Sequence, residues 1–138
     1  MPYVKLWIPG DPVAKPRMTR RDQWAQRPCV VKYRAWADHF RECAGDKIKS
    51  LRVVEVTCLS WTAYYQIPKS YTKKEERECR GQLKRTPPDR DNIDKAVLDI
   101  LFPDGDAHIA KGTIAKYWCD EGQEPGLTVT IEWTAPTK

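Results

Sequence analysis

No apolar run in this 138-residue chain approaches the ~20 residues that a membrane-spanning helix needs. The N-terminus also lacks the basic, apolar and small-residue succession of a secretory signal. Cysteine is present, at Cys29, Cys43, Cys58, Cys79 and Cys119, but no two residues form a C-x-x-C pair. A zinc site needs clustered ligands and a disulfide framework usually needs an even count, so reduced, buried thiols in a cytoplasmic protein are expected. There is no internal repeat, no low-complexity tract and no shift in composition that would mark a second domain. One domain of this length buries roughly two-thirds of the surface that its unfolded chain exposes, enough for a real core. A hydrophobic share of 41% and six tryptophans argue against disorder.

Acids are scarce in one stretch in particular. Lys15, Arg17, Arg20, Arg21, Arg27, Lys32 and Arg34 fall between residues 15 and 34, where Asp22 is the only acid. The whole chain carries 24 Lys and Arg against 19 Asp and Glu, a net charge of +5 that by itself points only weakly to an anionic partner. The local concentration says more. A basic, irregular loop at about 10–30, interleaved with Pro16, Trp24 and Pro28, suits phosphate contacts together with stacking of a flat ring, here Trp24. A plain solvated loop is the competing account.

Periodicity predicts a strand at 3–8, where Val4, Leu6 and Ile8 alternate with polar or aromatic neighbours. Tyr33, Trp36, Ala37, Phe40 and Ala44 recur at helical spacing over about 31–45. Residues 52–66 are β-branched and aromatic and read as one long strand. Thr72 with Glu75 forms a capping box, and Gly81 a stop, for a short charged surface helix over 73–80. Ile93, Ala96, Val97, Ile100 and Leu101 mark a helix over 92–101. Strands at 112–119 and 127–133 close the chain. The expected fold is α+β: a single domain with a roughly four-stranded mixed sheet and helices packed on one face.

Against this basic background, "PPDRDNIDK" at 87–95 places Asp89, Asp91 and Asp94 beside one lysine. Pro87 and Pro88 push the residues preceding them out of the α region, so Asp89 is expected on extended backbone. Asp91 then reads as the N-cap of the helix that Ile93 begins. Lys95 lies one turn past Asp91 on the same side, away from the apolar stripe. An ordinary i,i+4 ion pair would explain Lys95, but not Asp89 as well. Farther on, "PDGDAHI" supplies Asp104, which fits turn chemistry, and Asp106, for which turn and site readings are balanced. If three carboxylates converge, oxygen ligands with open positions suit Mg²⁺ or Mn²⁺, with a phosphodiester as substrate. Lys95 beside them would stabilise charge on the reacting phosphate or protonate the leaving oxygen.

"PDRDNIDKAVLDIL", "DAHI" and a lysine ten residues past Asp106 together resemble the RusA-type Holliday junction resolvases. The likeness extends to "GDPVAKPRMT", "YRAW" and "IPKSYTKKE", in the same order over about 3–133. The resemblance implies one RusA-like nuclease domain over 1–138. It also implies a homodimer that cuts four-way DNA with Mg²⁺, for which Mn²⁺ would substitute. Carried over residue by residue, Asp89, Asp91 and Asp106 match the metal-binding acids and Lys95 the catalytic lysine. Lys15 and Arg17 fall on the DNA-contacting basic motif, and Arg20 and Arg21 continue it. Asp99 also fits the pattern, but reads more simply as a helical partner of Lys95. The family's adjacent acid pair is here split as Asp104-Gly105-Asp106. A two-fold dimer suits a junction cut on two strands, with Leu98 and exposed tryptophans as candidate contacts. His39 is expected to be a surface or packing residue, and His108 to have at most a minor place in the site. Two other readings stay open: a catalytically inactive branched-DNA-binding module, and a metal-dependent nucleotide phosphohydrolase.

Overall fold

The computed structural model describes residues 2–134. Four strands form one mixed sheet: β1 (Tyr3–Pro9), β2 (Glu55–Tyr65), β3 (Ile114–Trp118) and β4 (Gly126–Thr134), in the order β1-β4-β2-β3. β4 pairs antiparallel with both β1 and β2, while β3 runs parallel to β2. Direct cross-strand partners share a face. Leu6 opposes Val129 and Ile8 opposes Leu127, while Leu59, Trp61 and Ala63 oppose Ile131, Val129 and Leu127. All eight are buried. Their alternate neighbours Lys5, Ser60, Thr62, Thr128 and Thr130 line a shallow recess on the opposite face.

The helices are α1 (Pro28–Ala44), α2 (Lys47–Ser50), α3 (Lys73–Cys79) and α4 (Arg90–Leu101). The stripes foreseen on α1 and α4 are buried, and they join the inner face of the sheet in one core. Fully burying one such aliphatic or aromatic side chain contributes roughly 1.5–3 kcal/mol, which seats α4 firmly against the sheet. The α+β architecture thus follows expectation. So does α3, which buries none of its residues; Thr72 and Glu75 form the reciprocal cap, at 3.1 and 3.0 Å.

Several boundaries differ. α1 begins three residues early because Pro28 occupies its first turn, where a fixed φ and a missing N–H cost nothing. Residues 51–53 form a 3₁₀ turn rather than the start of β2. All five thiols are free, but burial holds only for Cys119; Cys58 and Cys79 are half-buried, and Cys29 and Cys43 are exposed. Cys29 and Cys43 each adjoin a buried stripe residue, Val30 or Ala44, and so are turned about 100° away from it along the helix. Leu98 packs half-buried against the core, whereas Trp7 and Trp24 are exposed. His39 bonds the Pro9 carbonyl at 2.8 Å, as a packing residue would. Among the described residues, no helix is long and apolar enough to cross a membrane.

The entry of the chain into β3 depends on Gly112. The Leu59 amide donates to the Lys111 carbonyl at 2.9 Å, and the Trp61 amide to that of Thr113 at 3.0 Å. Between them the backbones are so close that a Cβ on Gly112 would lie 1.7 Å from the Leu59 carbonyl oxygen. Only glycine permits that approach. It fixes the end of the loop that carries Asp106.

Candidate active site

Asp89 sits on extended backbone, φ −67° and ψ 140°, as expected after the two prolines. It, and not Asp91, is the N-cap of α4: the Asp89 carbonyl accepts from the amides of Asn92 and Ile93 at 3.1 and 3.2 Å. The apolar stripe marks the first buried residue, Ile93, whereas the helix begins a turn earlier with residues that never touch the core. The Asp89 side chain makes no capping bond. The carboxyls of Asp89 and Asp91 therefore stand exposed at the start of α4, where the helix dipole favours negative charge.

Lys95 is exposed one turn on, and among the described residues it forms no ion pair. Asp99, expected to partner it, instead pairs with the Lys15 ammonium. The Lys15 amide also donates to the Asn92 carbonyl at 3.1 Å. A helical i,i+4 pair contributes only about 0.2–0.5 kcal/mol, so the tertiary contact easily prevails. These two bonds dock the basic arm on α4. Between them opens a recess of about 680 Å³, lined by Lys15, Arg17 and Met18 of the arm and Asn92, Lys95 and Asp99 of the helix.

The arm is built around Asp22, the only acid between residues 15 and 34. Asp22 is buried and accepts from Arg27 through both carboxylate oxygens, at 2.9 and 2.7 Å, and from the Thr19 amide at 2.6 Å. The Arg27 guanidinium, followed by the Thr19 amide, holds this carboxyl far below the usual range. Arg27 also donates to the Arg17 carbonyl, and Arg34 to that of Asp22. Two of the seven basic side chains are thus committed inside the arm. Arg17, Arg20, Arg21 and Trp24 remain exposed.

Two lysines unremarked or unassigned from the sequence stand behind Asp89. Lys84 is 7% exposed, with its ammonium 4.5 Å from the Trp118 ring centre and 5.2 Å from that of Tyr65. Burial, and then the charge of Lys116, lower its pKa. Lys116, on β3, also has its pKa lowered by burial, against an opposing pull from Asp89. Lys84 had no sequence signal, since a lone lysine in "QLKRT" reads as surface. Lys116 is the downstream lysine of the resemblance.

Asp106 lies half-buried in the loop after α4, its carbonyl accepting from the Ile109 amide at 2.9 Å. Among the described residues, no group of three or more His, Cys, Asp or Glu stands ready to hold a metal, so Asp106 is not gathered with Asp89 and Asp91. Asp94 accepts from the Trp61 indole at 2.9 Å and belongs to the seam between helix and sheet. Asp104 is exposed next to Gly105, whose φ of +135° and bond to the Phe102 carbonyl make a turn. His108 packs edge-on to Phe102. The donor chemistry at the start of α4 fits Mg²⁺: two hard carboxylates, at the N-cap and in the first turn, match the one or two that this ion takes from protein before water and phosphate complete its shell.

No curated protein matches the chain at significant similarity. A family model does. Its description is endodeoxyribonuclease RusA, and it matches residues 9–132, from the end of β1 through the arm, α4 and the Asp106 loop into β4. With nearly the whole chain inside that match, this protein belongs to the RusA endodeoxyribonuclease family.

Proposed function

We propose that this protein is a Mg²⁺-dependent endonuclease that resolves four-way and other branched DNA as a homodimer in the cytoplasm. The observation that carries the reading is the recess shared by arm and helix. There Lys95 stands without an ion pair among the described residues, next to the helix start that presents Asp89 and Asp91, in a chain of an endodeoxyribonuclease family.

Asp89 and Asp91 would hold the ion, with Asp106 as the third acid; like charges gather poorly until a cation offsets their repulsion. Bound there, Mg²⁺, or Mn²⁺ in its stead, would polarise the phosphodiester and acidify water at neutral pH. Lys95, one turn up the helix, stabilises charge on the reacting phosphate or delivers a proton to the departing oxygen. Arg17, Arg20 and Arg21 contact backbone phosphates, and Lys15 contributes from its place beside Asp99.

The deciding experiment compares cleavage of a synthetic four-way junction with that of linear duplex, with Mg²⁺ and with chelator. Junction cutting that requires the ion, and that Asp91→Asn abolishes while binding persists, is the expected result. Junction binding without cutting in any divalent ion would leave an inactive binding module. Turnover of free nucleotides alone would identify a phosphohydrolase.

A further inference from the structure

The turn that delivers Asp89 to α4 is Thr86-Pro87-Pro88, and neither proline has an amide hydrogen. The turn is held instead through its carbonyl groups. Lys84 Nζ donates to the Thr86 carbonyl at 3.2 Å, to the Thr86 hydroxyl at 2.6 Å and to the Pro87 carbonyl at 2.5 Å. Lys116 Nζ donates to the Thr86 carbonyl at 2.8 Å and to the Pro88 carbonyl at 2.6 Å. Three consecutive carbonyls thus meet two ammonium groups, and the Thr86 carbonyl accepts from both.

The Lys84 side matches its donor inventory completely. An ammonium has three hydrogens and no acceptor, and here it meets three oxygens. Its charge is buried over the faces of Trp118 and Tyr65, which favour a cation there. Lys84 is tied to the sheet as well, its amide donating to the Lys116 carbonyl at 3.0 Å. Both lysines therefore stem from the same edge of the sheet, and the turn is referenced to the strands rather than to α4 alone. A buried lysine is costly unless it is paired. Burying one to brace a turn, when an apolar side chain would fill the same space, points to a demand for position.

We propose that Lys84 and Lys116 are positioning residues for Asp89: a double ammonium clamp that fixes the diproline turn and so sets where the Asp89 carboxylate offers its oxygens to a divalent cation. This rests on the nuclease reading for its purpose, but its physical content is cation binding at Asp89. Outer partners that orient a ligand typically change metal affinity or activity by about 10- to 100-fold.

The test uses Lys84→Met, which keeps an apolar stem for Trp118 and Tyr65 but donates no hydrogen bond, and Lys116→Met alongside. Val30→Ala, a truncation in the core of α1, is the control for stability alone. Mn²⁺ binding to the protein without DNA is followed by electron paramagnetic resonance, together with thermal melting and junction affinity in chelator. The expected result is Mn²⁺ affinity lowered about 10-fold or more in both lysine variants. Junction affinity in chelator should stay unchanged, and Val30→Ala should melt earlier with wild-type Mn²⁺ affinity. In a cleavage assay the half-saturating Mg²⁺ concentration should rise in the same two variants, and Lys116→Arg should recover part of the loss. Wild-type Mn²⁺ affinity in Lys84→Met and Lys116→Met would overturn the clamp, whatever their melting temperatures. Failure of the wild type to cut DNA, with the Mn²⁺ difference intact, would overturn the nuclease reading and leave the clamp standing.

Discussion

Asp22 shows how far one side chain can govern a surface. Its depressed pKa means that the folded arm prefers the charged carboxylate, so the stabilisation is fully present above the unfolded value, near 4, and is lost as pH falls through and below it. Acid should therefore loosen the arm, seen as faster amide exchange at residues 19–24, and Asp22→Asn should show the same loosening already at neutral pH. Equal protection in variant and wild type would remove Asp22 as the organiser. Lys95 is the opposite case, an exposed charge without an ion pair among the described residues. Lys95→Ala should leave the melting temperature nearly unchanged while lowering the cleavage rate about 10²-fold or more, as loss of an electrostatic stabiliser or proton donor typically does. A wild-type rate would take Lys95 out of the mechanism. The sequence exposed Lys95 through its phase against the Ile93, Val97 and Ile100 stripe. It was silent on Lys84, because only the fold brings Trp118, Tyr65 and the diproline turn around that ammonium.

At the scale of elements, α4 and the arm work as a pair. The stripe of α4 and the capping box of α3 were legible because 3.6-residue periodicity and capping chemistry are local. The start of α4 lies two residues ahead of the expected one because hydrophobic spacing reports burial, not helicity. The arm's basic character was equally plain, but its internal division was not. Arg27 and Arg34 are claimed by Asp22 and its carbonyl, and Lys15 by Asp99, through contacts separated by as much as 84 residues. That division changes what neutralising the arm should do. Each phosphate contact contributes about 0.9 to the slope of log affinity against log salt, so Arg17→Ala should flatten the slope by about one. Lys15→Ala should flatten it less, because that ammonium already has a partner, while weakening the hold of the arm on α4. Equal slopes for Lys15→Ala and wild type, with Arg17→Ala also unchanged, would mean that the arm does not meet DNA phosphates.

For the whole molecule, the fold class was readable from alternating and helical runs, but the strand order was not. β4 is last in the chain and yet central, inserted between β1 and β2, and pairings of such long range leave no local trace. The same holds for Asp106, whose place depends on a loop anchored by Gly112 rather than on any motif. The proposed junction cutting makes a demand at this scale: two strands must be cut, and a chain with a single site at the start of α4 would do so symmetrically only as a two-fold pair. Sedimentation should give twice the 16.0 kDa of the chain. Protomers should then act one per strand. When wild type is mixed with an excess of Asp91→Asn and allowed to exchange subunits, pairs with one competent site should nick a cruciform plasmid, and linear product should fall as the square of the wild-type fraction. Linear product falling only in proportion to that fraction would show that one subunit makes both cuts and that the pair is not the working unit.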